Sequence, residues 1–133
     1  TVIVYAMTEE LSNPTMGYLF FAIASQTIAF DSFYGLCDEE DDRNLKINST
    51  PIWWGKNTLR IIACFQICSI LLLGTIGLID KLELIWFASL IMLGGFFLYQ
   101  QKLASKKKYL EAFKNNHWAN LLILMTAILC YVV

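Results

Sequence analysis

Six of the eleven acidic residues in this 133-residue chain fall within twelve positions: Asp31, Asp38, Glu39, Glu40, Asp41 and Asp42, in the run FDSFYGLCDEEDDRN. The run follows directly on a charge-free stretch, residues 15–30. A carboxylate at the centre of a membrane-spanning helix costs about 2.5–3.5 kcal/mol, so Asp31 belongs at a helix end or beside a wet cavity. A helix continued through the run places Asp31, Tyr34, Asp38 and Asp42 at offsets 0, 3, 7 and 11, one stripe on one face. Asp38 and Asp42 then stand at i and i+4, with Cβ atoms roughly 5–6 Å apart. Two carboxylates that close repel each other, and a divalent cation between them turns the repulsion into binding. Mg²⁺ is held in this way by one or two carboxylates together with the phosphate oxygens of a substrate. A solvated acidic loop has the same composition, but the periodicity and the apolar run leading into it favour a site. An EF-hand is excluded: counting from Asp38, Arg43 stands where glycine is required and Ser49 where a bidentate glutamate is required.

The elements that must position this stripe are apolar helices. Residues 15–30, 61–79, 84–101 and 118–133 carry no charge, and a bilayer core of about 30 Å takes roughly twenty helical residues to cross. The shorter two runs need flanking polar or aromatic residues to reach across. The chain is 57% apolar, 16% charged and 14% aromatic, which excludes a disordered tail. A net charge of −1 gives no basic footprint for nucleic acid. A soluble bundle of four wholly apolar helices would need more amphipathic chain around it than 133 residues provide. The expected fold is therefore all-α: a polytopic membrane helix bundle of four full spans in a single domain. TVIVYAM, before Thr8-Glu9-Glu10, reads as the end of a preceding span, and a chain opening on Thr1 reads as part of a longer membrane protein.

Basic residues orient the spans. Arg43, Lys46, Lys56 and Arg60 lie between the first two runs, and Lys102, Lys106, Lys107, Lys108 and Lys114 between the last two, whereas the opposite side has Lys81. This bias puts both basic connections, and the acidic run, on the cytoplasmic side. Lys106 to Lys108 are read as topology signals that touch anionic headgroups. His117 is read as an interfacial anchor, Cys64 and Cys68 as packing residues, and Gly74, Gly77, Gly94 and Gly95 as points of close helix contact.

The run from Asp31 to Asp42, followed by Ile47-Asn48-Ser49-Thr50, resembles the second aspartate-rich motif of UbiA-type 4-hydroxybenzoate polyprenyltransferases, of pattern YDxxYAxxDxxDDxxxGxKST. Tyr99-Gln100-Gln101-Lys102-Leu103 and Ala112-Phe113-Lys114-Asn115-Asn116 extend the similarity along the chain. It is similar to the C-terminal half of that family, so the N-terminal half, with the motif NDxxDxxxD, is expected as its partner. The resemblance implies an integral membrane enzyme of nine helices, in the bacterial inner membrane rather than the mitochondrial one, serving ubiquinone synthesis. Such an enzyme moves a polyprenyl group from polyprenyl diphosphate to the ring of 4-hydroxybenzoate, with Mg²⁺ as cofactor. It implies Asp38 and Asp42 as catalytic residues and metal ligands, Asp31 as an outer or second ligand, and Asp31, Tyr34 and Lys46 as substrate contacts. Departures are Phe30 for Tyr, Gly35 for Ala, Lys46 for Gly and Asn48 for Lys. Lys46 could take over the phosphate contact of the basic residue lost at position 48. Other readings are a family member with haem or another quinone as acceptor, and, from another class, a small four-span transporter or channel subunit whose acidic cluster attracts cations.

Overall fold

The computed structural model describes residues 14–131; the expected end of a preceding span, residues 1–7, lies outside them. Four long helices dominate: α1 (Pro14–Asn44), then a short α2 (Thr50–Trp54) and a 3-10 turn (Gly55–Asn57), α3 (Thr58–Ile79), α4 (Leu84–Ser105) and α5 (Tyr109–Tyr131). No strand is present among the described residues. Among the described residues three segments, Pro14–Asn44, Thr50–Ile79 and Leu84–Ser105, are long and apolar enough to cross a membrane. At 1.5 Å per residue the 22 residues of α4 reach about 33 Å, and the 23 of α5 run back beside them. α5 opens on the polar stretch YLEAFKNNHW and turns its amides inward.

The helices pack as an up-and-down bundle with two apolar clusters. One joins Ala29, Phe33 and Leu36 of α1 to Ile62 of α3, Leu103 and Ala104 of α4 and Ala112 of α5. The other joins Ala22 to Leu73, Ile76, Leu90, Leu93 and Ala119 nearer the opposite end. Between them lies a belt of amides. Gln26 Nε2 donates to Asn120 Oδ1 (2.6 Å) and Asn116 Oδ1 (3.4 Å), Gln66 Nε2 to Gln100 Oε1 (2.8 Å), Gln101 Nε2 to Gln66 Oε1 (3.0 Å) and Gln100 Nε2 to Asn115 Oδ1 (3.3 Å). These bonds join α1 to α5, α3 to α4 and α4 to α5. Apolar side chains gain nothing by leaving lipid for one another, so packing and interhelical hydrogen bonds hold such bundles together.

At the end far from the acidic run, Asp80 ties three helix ends, accepting from Thr15 Oγ1 (2.9 Å) and Tyr131 Oη (2.5 Å). Next to it the Trp86 indole donates to the Leu73 carbonyl (3.0 Å) and lies against Gly77, where an added Cβ would stand 2.5 Å from Trp86 Cδ1. Gly77→Ala is therefore expected to lower the unfolding free energy by about 1–2 kcal/mol through overpacking, read by denaturant titration in mixed micelles. Unchanged stability would show that the indole moves freely. Gly74 and Gly94 meet neighbours at ordinary contact distance, and a Cβ at Gly95 would meet nothing within 4 Å. Cys64 and Cys68 are exposed rather than packed inside, because their helix face lies away from the core residues Ile62, Gln66, Ser69 and Leu73.

Three helices end in the same way. Lys46, Lys81 and Lys107 adopt left-handed φ values of 58°, 52° and 60°. The residue after each sends its N–H back five residues: Ile47 to Asp42 O, Leu82 to Gly77 O and Lys108 to Leu103 O. These are Schellman ends, and glycine is the usual residue at the left-handed position. A lysine there costs about 1 kcal/mol in backbone strain, partly offset by its charge beside the negative end of the helix dipole.

Candidate functional site

α1 does not stop where its charge-free stretch stops. It continues to Asn44, which brings Asp31, Tyr34, Asp38 and Asp42 onto one face. The core face of α1 carries Ala22, Ala29, Phe33 and Leu36, about half a turn of the helix away from the carboxylates. The stripe thus lies off the core face of α1, with Tyr34 at its edge towards α5. Asp31 and Tyr34 are exposed, while Asp38 and Asp42 are half-buried. The ring of Tyr34 packs on Phe113 of α5, with centroids 5.3 Å apart, and Phe113 also meets Phe30 at 5.8 Å.

The cation nearest in sequence does not neutralise the pair. Arg43 Nη2 lies 2.6 Å from Glu39 Oε1, and neither Asp38 nor Asp42 has an ion-pair or hydrogen-bond partner among the described residues. Two half-buried carboxylates one turn apart, without a counter-charge, suit a divalent cation whose other ligands come from a phosphorylated substrate. Among the described residues no group of three or more His, Cys, Asp or Glu side chains converges as a metal set. Asp31 precedes Asp38 by seven residues, about 10 Å of helix axis, too far to share an ion held between Asp38 and Asp42.

Beside the stripe, on the flank towards α5, an apolar groove of about 320 Å³ runs between the two helices. Ile23, Thr27 and Phe30 form its α1 wall, and Ile123, Leu124 and Ala127 its α5 wall, with Gln26 and Asn120 where the amide belt meets it. One face of α1 therefore passes from an apolar groove, through Phe30 and Tyr34, to two carboxylates at its end.

Lys46 lies just beyond, exposed, at the left-handed position that closes α1. The pattern's usual glycine here suits that conformation. Lys46→Gly is expected to raise the unfolding free energy by about 1 kcal/mol, and equal stability of the two forms would show that the turn carries no strain. Gly35 likewise has a local reason: a Cβ there would stand 3.0 Å from Pro51 Cγ, where α2 crosses α1. Attention to charge alone overlooks the amides. Gln26, Gln66, Gln100 and Asn116 are buried polar residues within or beside apolar runs, and that position is the signal by which sequence could have found them.

The comparisons with known proteins agree along the whole chain. It is 36% identical over 112 residues to the 4-hydroxybenzoate octaprenyltransferase of Tolumonas auensis, covering 82% of this chain and 39% of that protein. It is 40% identical over 103 residues to the enzyme of that name from Hydrogenovibrio crunogenus, covering 74% and 35%, and 34% identical over 122 residues to that of Psychromonas ingrahamii, covering 89% and 42%. The chain thus spans about two fifths of the length of these curated relatives. No solved structure matches it. With the UbiA prenyltransferase family matching residues 1–131, the chain belongs to the UbiA prenyltransferase family.

Proposed function

We propose that this chain forms the part of an aromatic polyprenyltransferase that binds the diphosphate end and adjoining tail of a polyprenyl diphosphate, for transfer to the ring of 4-hydroxybenzoate in ubiquinone synthesis. The single observation that carries this reading is the continuity of one α1 face, from apolar groove to carboxylate pair. A polyprenyl tail gains about 0.8 kcal/mol for each CH₂ it buries, so the substrate stays in lipid and its diphosphate must be met at the membrane surface. Family membership sets aside the transporter reading, and the relatives' printed names favour 4-hydroxybenzoate over haem as acceptor.

In this reading Ile23, Phe30 and Leu124 bury the first isoprene units. Asp38 and Asp42 would hold Mg²⁺ at the diphosphate end, and Lys46 would add a phosphate contact. Mg²⁺, when bound, offsets the negative charge that builds on the departing diphosphate. Tyr34, one turn before Asp38, presents its ring where positive charge develops on the allylic carbon, an electrostatic attraction between cation and aromatic face. Asp31, a further turn away and exposed, contacts the substrate rather than the same ion. The phenol ring attacks the allylic carbon, the carbon–oxygen bond to diphosphate breaks, and the ring loses a proton. The basic end of the bundle, with Arg43, Lys46, Lys56, Arg60 and the lysines of the α4–α5 connection, faces the cytoplasm of a bacterial inner membrane. The other aspartate-rich motif comes from the N-terminal half of the enzyme, across the face to which the stripe points.

The test is incorporation of labelled 4-hydroxybenzoate into lipid-extractable product by membranes holding the complete enzyme. The expected result is transfer that requires both polyprenyl diphosphate and Mg²⁺. Transfer that persists with chelator, or that is absent with 4-hydroxybenzoate and present with another acceptor, would overturn the reading at the metal or at the acceptor respectively.

A further inference from the structure

On the flank of α5 opposite the prenyl groove, two hollows of about 380 and 250 Å³ lie between α4 and α5, and they share Tyr99 and Asn115. They form one groove with two unlike ends. Towards the bilayer centre it is lined by Met92, Gly95 and Phe96. Gly95 leaves its floor open, since a Cβ there would meet nothing within 4 Å. Towards the basic connection the lining changes to Lys114, Glu111 and Leu103, with Trp118 about one turn deeper. Met92, Tyr99 and Trp118 are each more than half exposed. Positions 92, 95, 96 and 99 on α4, and 111, 114, 115 and 118 on α5, share the spacing i, i+3, i+4, i+7, so each set is a single helix face.

The polar end is set up for an anion. Glu111 is answered by Lys108, whose Nζ lies 3.2 Å from its Oε1. Lys114 has no ion-pair or hydrogen-bond partner among the described residues. Asn115 Oδ1 is taken by Gln100 Nε2 (3.3 Å), which leaves the amide N–H groups of Asn115 as donors. The hydroxyl of Tyr99 is a further donor in the same lining. Tyr99 lies six residues before the end of α4 and Lys114 five after the start of α5, about 8–9 Å along the helices from the connection. Both therefore lie within two helical turns of the basic connection, which adds Lys106 and Lys107.

We propose that this groove binds one anionic phospholipid, its phosphate on Lys114, Asn115 and Tyr99 and one acyl chain along Met92, Gly95 and Phe96. Charge complementarity favours an anionic headgroup over a zwitterionic one. The groove lacks the paired carboxylates that a metal-bound diphosphate requires, which separates its occupant from the prenyl substrate.

The protein extracted from its membranes in mild detergent, then exposed to equal amounts of phosphatidylglycerol and phosphatidylcholine, is read by native mass spectrometry for retained lipid. Phosphatidylglycerol is expected to be retained over phosphatidylcholine by about fivefold or more. Lys114→Gln should bring the ratio close to parity, and Gly95→Leu, which fills the floor, should remove the bound lipid while circular dichroism shows the helices intact. Glu111→Gln should raise retention. The proposal fails if the two lipids are retained equally, or if Lys114→Gln and Gly95→Leu both behave as the parent. It also fails if Lys106→Ser with Lys107→Asn abolishes the preference and Lys114→Gln does not, since a diffuse basic surface then suffices. Displacement by millimolar inorganic phosphate would reassign the site to free anions, and displacement by geranyl diphosphate would reassign it to the prenyl substrate.

Discussion

Asp38→Ala or Asp42→Ala, placed in the complete enzyme, is expected to reduce prenyl transfer at least about 10³-fold, equivalent to about 4 kcal/mol of barrier, while the protein remains in the membrane. Each substitution removes half of the i, i+4 carboxylate pair on this face; Asp41, one residue before Asp42, is exposed and projects about 100° around α1 from it. Asp31 is two turns away, Glu39 is occupied by Arg43, and Glu40 lies on the side of α1 that faces Lys107 and Tyr109. Glu40→Ala is accordingly expected to keep transfer within about twofold, as is usual for a surface change away from the site. Because the pair acts as one unit, the double variant should be little worse than either single one, a strong departure from additivity. Raising the Mg²⁺ concentration should partly rescue Asp42→Asn, which keeps one oxygen ligand, and not Asp42→Ala. Near-normal turnover of either alanine variant, measured as labelled acceptor in the lipid extract, would remove the pair from the mechanism.

Gln66→Leu should produce the largest loss of stability. The side chain is 3% exposed, donates to Gln100 and accepts from Gln101, so leucine leaves an acceptor and a donor unpaired on α4. Interhelical hydrogen bonds in membranes contribute about 0.6 kcal/mol on average and up to about 1.7 kcal/mol. Two such bonds, with the residual cost of an orphaned buried amide, give an expected loss of about 2–3 kcal/mol in a micelle unfolding titration. Gln66→Glu should be milder at low pH, where its protonated carboxyl can still donate to Gln100 and accept from Gln101. A Gln66→Leu protein as stable as the parent would mean that the amides are paired without contributing to stability.

Much of the bundle is legible in the chain because lipid imposes a simple rule: spans are apolar and charges are kept outside. Four charge-free runs correspond to the four long helices. Their limits are less legible, since a helix continues wherever its backbone bonds can. The run that ends at Phe30 belongs to a helix that ends at Asn44, and the run that starts at Trp118 belongs to one that starts at Tyr109. The first extension is foreshadowed by the spacing of Asp31, Tyr34, Asp38 and Asp42, which is regular only on a helix. The left-handed turn at Lys46 is obscured by the residue itself, because lysine carries no sign of the conformation that glycine would announce. The amide partnerships are illegible for a different reason: Gln26 meets Asn116 across 90 positions and Gln66 meets Gln100 across 34, and no local pattern carries such pairings. Gly95 suggests a close contact by its type but opens a groove, since a glycine in an apolar helix can admit either a neighbouring backbone or a ligand.

The amide belt has a mechanical consequence. Sliding one helix past another by a single turn, about 5.4 Å, would break at least one of these bonds in a medium with no water to replace it, whereas an interface of leucine alone would let the helices creep. The four helices are keyed together like the wards of a lock and turn, tilt or shift as one body. The connection from Leu45 to Asn57, which begins where the carboxylates end, lies outside this belt and is held instead by Pro51 against Gly35 of α1 and by Trp54 stacked on Phe65 of α3.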